Sequence, residues 1–179
     1  IIFGILKKGD HAITTTLKHN SVLRPLYHQN KFNGVEVDYV PFGTNGFIDP
    51  DEIKNKIKAT TRLVIINHAS NVIGTIQPLE AIGRICRERG VTFAIDASQS
   101  AGKVPIDMEQ HHIDIIAFTG HKSLLGPTGT GGLYVRDGVE IRHTRAGGTG
   151  VRSAERMHLD EYPYRLEYGT GNVGGIAGM

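Results

Sequence analysis

The sequence predicts a three-layer α/β/α fold built on a mainly parallel sheet. Three observations carry this prediction. Six short runs of strand type are spread along the chain, and several are near-continuously apolar, as strands buried on both faces are. Segments of helical pattern fall between many of them. A length of 179 residues suits one domain with a real core, since a chain of this size buries about 70% of its unfolded surface.

The elements follow in order. Strand-like runs occupy 11–17 (HAITTTL), 35–42 (VEVDYVPF), 62–67 (RLVIIN), 91–95 (VTFAI), 114–118 (DIIAF) and 131–135 (GGLYV). In FIDPDEIKNKI, Asp49 is placed to cap a helix, Pro50 sits at its first position and Glu52 can complete a capping box. In QPLEAIGRICRERG, Pro78 opens a helix, Leu79, Ile82, Ile85 and Cys86 share a face, and Gly90 closes it.

Composition narrows the function. The net charge of +2 comes without a long basic run, which argues against nucleic acid or a membrane surface as partner. A single cysteine, Cys86, forms no internal disulfide and suits a reducing cytoplasm. It falls on the apolar face of a helix, which favours a core role over a nucleophilic one. Glycine is over-used, at 23 of 179 residues, against an average near 7%. It clusters in 120–132 and 147–178, where backbone must approach a ligand or other backbone closely. The start, IIFGILKKGD, has no initiator Met and too short an apolar run for a span, and the end, GGIAGM, lies inside an apolar segment. The chain reads as a piece of a longer protein.

In open α/β sheets, ligands bind beyond the carboxyl ends of the strands. Four polar residues follow such ends: His19, Asn71, Asp96 and Lys122. A lysine in TGHKSLLGPTGTGG sits between a strand and a glycine-rich turn, a setting suited to an amine that bonds a buried carbonyl carbon. If that carbon belongs to pyridoxal phosphate, a carboxylate must hold the proton on the ring nitrogen, and Asp96 in AIDASQSAG can do so. Gln99 can donate to the phenolic oxygen, His19 can stack on the ring, Asn71 can donate to cofactor or substrate, and Thr119 and His121 can hold phosphate. Taken singly, Asp96 reads more readily as a helix cap and His19 as a capping or surface residue, and Asn71 can be a turn residue.

Rival patterns fail. Gly126, Gly129, Gly131 and Gly132 follow Lys122 instead of preceding it, unlike the phosphate loop GxxxxGK[ST], and they lead into a strand, unlike a dinucleotide fingerprint. His111-His112 lacks the further ligands of a metal site.

TGHKSLLGPTGTGGLYV, AIDASQSAG, KHNSVLRPL and NHASNVIGT occur in the order and spacing of the cysteine desulfurases and class V aminotransferases. GVEVDYVPFGTNGFIDPDEI, RAGGTGVRS and YRLEYGTGN fit the same pattern, so the resemblance covers essentially the whole chain. It implies a fold type I pyridoxal phosphate enzyme, with residues 1–179 as part of its cofactor-binding large domain. The N-terminal segment and C-terminal small domain of the family would lie outside these residues.

The resemblance further implies that Lys122 is the Schiff-base lysine, Asp96 the partner of the ring nitrogen and Gln99 that of the phenolic oxygen. His19 resembles the stacking histidine, Asn71 the asparagine near cofactor and substrate, and Thr119 and His121 the phosphate pair. Lys122 and His19 are the catalytic candidates. The segment from Gly147 to Ser153, with Thr149 as candidate contact, resembles the loop that reaches a neighbouring subunit's cofactor, which implies a homodimer.

The implied reaction converts L-cysteine to L-alanine and passes sulfur as persulfide, in the cytoplasm, with a sulfur-acceptor protein as possible partner. An aminotransferase or β-lyase acting on a related small amino acid is the alternative on this scaffold, and a non-catalytic dimerisation or binding module is the alternative of another class. Two departures stand out. The sulfur-accepting cysteine of the relatives falls beyond these residues and Cys86 does not match it. Lys18 stands where many relatives carry an acidic residue.

Overall fold

The computed structural model describes residues 1–179. Its elements are α1 (Ile2–Ile5), β1 (His11–Thr15), α2 (Asn20–Asn33), β2 (Glu36–Val40), α3 (Pro50–Lys56), β3 (Thr61–Asn67), α4 (Leu79–Arg89), β4 (Thr92–Asp96), β5 (Ile115–Thr119), β6 (Gly131–Val135) and α5 (Val173–Ala177). The six strands form one sheet in the order β2-β1-β3-β4-β5-β6. All pairs are parallel except β5–β6. That exception follows from chain length: the loop 120–130 is too short for a crossover and long enough for a hairpin.

Alternation along each strand sends side chains to two cores. One face packs Ile13, Val64, Ile66, Phe93 and Ile95 against Ile53 of α3 and Leu79, Ile82 and Cys86 of α4. The other packs Ala12, Leu63, Ile65 and Ala94 against Ile2 and Leu6 near α1 and Val22 and Leu26 of α2. The architecture is therefore three-layered, as the sequence predicts. The chain runs outward from β1 to β2 and then returns past β1 to β3, so the sheet reverses its winding direction between β1 and β3. That reversal opens a crevice at the carboxyl ends, where ligands of such sheets sit.

Local signals explain the helix ends. Asp49 caps α3 by accepting from Asp51 N at 2.9 Å, and Pro50 begins the helix. The capping box expected from Glu52 does not form; the Asp49 side chain is already committed to Asp51. Gly90 ends α4 at φ 63°, with its N–H bonded to Arg87 and Cys86 carbonyls. α2 contains Pro25 and ends at Gly34, at φ 65°.

Candidate functional site

The carboxyl ends of β1, β3, β4 and β5 share one rim, and the parallel register brings particular residues level. Asn67 is paired with Asp96, and Asp96 with Ala117. Residues two apart on a strand share a face, so Asn67, Asp96 and Thr119 lie on the face that carries α2. A cavity of about 410 Å³ opens beside them, lined among others by Val22, Asp96, Ser98, Ala117 and Thr119.

Asp96 is the electrostatic centre of this rim. Its Oδ1 accepts from Ser98 N at 3.0 Å, and its Oδ2 lies 3.8 Å from Lys18 Nζ. Burial alone would raise the Asp96 carboxyl; the charge of Lys18, the bonds from Ser98 and the charge of Lys122 outweigh it and hold the pKa below the ordinary value. Asp96 is thus an ionised acceptor at neutral pH. Lys18 is fully enclosed and its Nζ has no hydrogen-bond partner. Burial pushes its ammonium down to about 8, against the opposing pull of Asp96.

Lys122 is half-buried in the loop after β5. The loop is closed at its neck by Gly120 N donating to Thr130 O at 2.9 Å, and Gly126 N donates back to Gly120 O at 2.8 Å. Leu125 N donates to Lys122 O at 3.0 Å, and Leu125 takes the turn at φ 57°. Glycine is required at the neck: a methyl on Gly131 would stand 2.6 Å from Phe118 O. The glycines after Lys122 therefore close a hairpin and set the lysine on its turn.

The other expected residues are placed as follows. His19 is exposed and caps α2, its Nδ1 accepting from Ser21 N at 3.2 Å. Asn71 is exposed in the turn after β3, which Ser70 Oγ organises by accepting from Val72 N and Ile73 N. Gln99 is half-buried three residues beyond Asp96, and His121 is exposed beside Lys122. Thr119 Oγ1 is buried without a partner. Thr149 Oγ1 donates to Val151 O at 3.2 Å within the segment from Gly147 to Ser153. Asp96, Lys122 and Thr119 are thus brought to one locus, while His19, Asn71 and His121 stand in their own turns at the same end of the sheet.

Two features escaped the sequence reading. Lys18 reaches the Asp96 carboxylate, and Asn67, level with Asp96, leaves both amide atoms buried without partners. A polar residue ending an apolar strand was the available signal for Asn67. His68, next in the chain, bonds through Nδ1 to Ser100 Oγ at 2.9 Å, and burial followed by the charge of His111 lowers its pKa. Buried polar groups are nearly always bonded in folded proteins, so the unpartnered Lys18 Nζ, Asn67 amide and Thr119 Oγ1 at this rim, though such atoms also occur elsewhere in the chain, are suited to meet further polar partners.

Fold and rim together define a class: an α/β domain with a ligand site at the carboxyl edge of its sheet, organised around an ionised aspartate and an amine on the next loop. The family model for aminotransferase class-V matches residues 1–179, and the chain belongs to that family. It is 35% identical over 179 residues to the cysteine desulfurase IscS of Dictyoglomus turgidum, covering 100% of this chain and 42% of that protein. The apo structure of a cysteine desulfurase from Thermococcus onnurineus NA1 superposes with a TM-score of 0.86 at 34% identity, over 99% of this chain and 46% of that one. A mutant of C-DES with glycine covalently linked to its PLP cofactor gives a TM-score of 0.86 at 27% identity, over 99% and 49%. The chain thus spans less than half the length of these relatives.

Proposed function

We propose that the chain is part of the cofactor-binding large domain of a pyridoxal phosphate enzyme acting as a cysteine desulfurase. The observation that carries the reading is the ionised Asp96 between Lys122 and a set of orphaned buried polar atoms at the rim. These residues fit the cofactor: a carboxylate held as an anion suits a protonated ring nitrogen, a half-buried amine suits a carbonyl carbon, and a hydroxyl without a partner suits phosphate. Similarity to cysteine desulfurases across the whole chain points the same way.

When bound, the cofactor would supply an electron sink for the substrate's Cα. Asp96 would keep the proton on the ring nitrogen, and Gln99 would donate to the phenolic oxygen. Thr119 Oγ1 and His121 would hold the phosphate, and His19 would cover the ring. Lys122 would hold the carbonyl carbon and, once released by substrate, move the proton at Cα through its Nζ. Asn71 would orient the substrate carboxylate.

The reaction would take L-cysteine to L-alanine and pass sulfur as a persulfide to a thiol, then to an acceptor protein. Cys86 is not that thiol, because it is fully buried and desolvation followed by the charge of Asp114 pushes its pKa far up. A homodimer in which the segment around Thr149 meets the neighbouring subunit is supported by exposed apolar residues such as Leu125, Val151 and Met157. No helix is long and apolar enough to cross a membrane, and a buried free cysteine suits a cytoplasmic enzyme.

The test is an absorption spectrum of the protein after adding pyridoxal phosphate, followed by borohydride reduction and peptide mass analysis. A visible band that Lys122→Ala removes, with the reduced pyridoxyl group mapped to Lys122, is the expected outcome. A folded dimer that stays colourless, or a band unchanged in Lys122→Ala, would overturn the reading in favour of a non-catalytic module.

A further inference from the structure

The most unusual group at the rim is Lys18. It follows β1, whereas Asp96 ends β4, with β3 between the two strands. Its side chain is 0% exposed, its Nζ has no hydrogen-bond partner, and the nearest opposite charge is Asp96 Oδ2 at 3.8 Å. Asn67 ends the intervening strand level with Asp96, its amide equally unpartnered. A buried ammonium is expensive to hold unless a charge compensates it. At this rim the compensating charge is Asp96.

We propose that Lys18 is a positioning residue that neutralises Asp96, sharing its carboxylate with the cofactor's ring nitrogen so that the ring-nitrogen proton is held more loosely than by Asp96 alone. The inference rests on the proposed cofactor. Its physical basis is simple. A proton on the ring nitrogen is stabilised by the negative charge of Asp96 and opposed by any positive charge close to that carboxylate. Lys18 supplies such a charge from inside the protein, where water screens it little. The charges acting on the carboxylate are Lys18 from the loop after β1 and Lys122 from the loop after β5, with Ser98 donating from its own turn. Lys122 is to be consumed by the cofactor. Lys18 stays.

The ammonium of Lys18, brought to about 8 by burial, also makes the effect depend on pH. Below that value Lys18 is charged and opposes the ring-nitrogen proton. Above it Lys18 is neutral, and Asp96 is left to the ring. The strength of the electron sink therefore responds to a group that need not touch substrate.

The experiment uses the intact protein, wild type beside Lys18→Met and Lys18→Gln, with ¹³C-labelled aspartate assigned through Asp96→Asn. In the cofactor-free protein, the Asp96 carboxyl should titrate about 1–3 pH units higher in both variants than in wild type. In protein loaded with ¹⁵N-labelled pyridoxal phosphate, the ring nitrogen should stay protonated to higher pH in the variants. A role confined to packing would move neither midpoint. Coincident titrations in wild type and variants would overturn the proposal. If neither protein binds pyridoxal phosphate, the cofactor reading fails, yet the cofactor-free titration still decides whether Lys18 governs Asp96. Should both variants fail to fold, the wild-type protein suffices: the Asp96 carbon should show a step where Lys18 loses its proton, and no step there would refute the pairing.

Discussion

Gly83→Ala in α4 sets two ordinary effects against each other. Alanine for glycine in a helix interior is worth about 1 kcal/mol in favour of the helix. Here the new methyl would overlap the carbonyl oxygen of His111 and stand 3.0 Å from its carbonyl carbon and 3.2 Å from His112 Cβ. These neighbours are backbone or fixed to it, in the turns before β5, so no side chain can swing aside. The helix and the turn must separate, which loosens the neighbouring contacts of Ile82 and Cys86 in the main core. Overpacking costs about 1–3 kcal/mol, loosened contacts included, and a clash with backbone falls in the upper part of that range, about 2–3 kcal/mol. After the helical gain is subtracted, a net loss of about 1–2 kcal/mol remains. With a urea m-value of about 2 kcal/mol/M, the unfolding midpoint should fall by about 0.5–1 M. Urea titration followed by circular dichroism measures this. A midpoint equal to or above that of wild type would show that α4 does not lie against the His111 turn as described.

Two more outcomes can be measured in the same way. Asp114 accepts from Phe93 N at 2.8 Å and from Arg136 Nε at 2.7 Å, tying β4 to β6 at the end of the sheet away from the site, so Asp114→Ala should cost about 2–4 kcal/mol; a loss within 0.5 kcal/mol of zero would count against the tie (roughly the scatter of ordinary surface changes). Burial is the first cause that lowers the pKa of both His11 and His68, so each favours the neutral ring in the folded state, and stability should be full above about 6.5 and fall as pH drops below it. His11→Asn and His68→Asn should each flatten that fall, and an unchanged slope in both would refute the assignment.

How much of this was legible in the sequence depended on whether the signal was local. All six strands were readable because each is a short run with turn residues at its ends, and α3 and α4 because Pro50, Asp49 and Gly90 punctuate them. α2 was harder: Pro25 falls inside it, and its buried face consists of only Val22, Leu26 and Gln29. The antiparallel turn at β6 follows from loop length, yet the run GGLYV says nothing of direction. In the site, Asp96, Lys122 and Thr119 could be placed from strand ends alone, because topology brings strand ends together. His19 caps α2, one of the two roles its position allowed.

Lys18 shows why the remainder was not legible. Its sequence neighbours mark it only as a cation at the end of a strand, and its partner lies far along the chain, two strands away in the sheet. The sign of the charge at that position then has a definite consequence. A carboxylate there would repel Asp96 and raise its pKa, making its ionisation depend on a cation brought by the ligand. A lysine there does the reverse: it lowers the pKa of Asp96 while Asp96 opposes the fall that burial imposes on the lysine, so each group partly offsets the burial cost of the other. Asp96 is therefore ionised before any ligand arrives, and under the proposed cofactor reading a protonated ring entering the site would compete with a cation that is already present. Substituting position 18 should accordingly alter the protonation of a bound ring before it alters the fold of the rim.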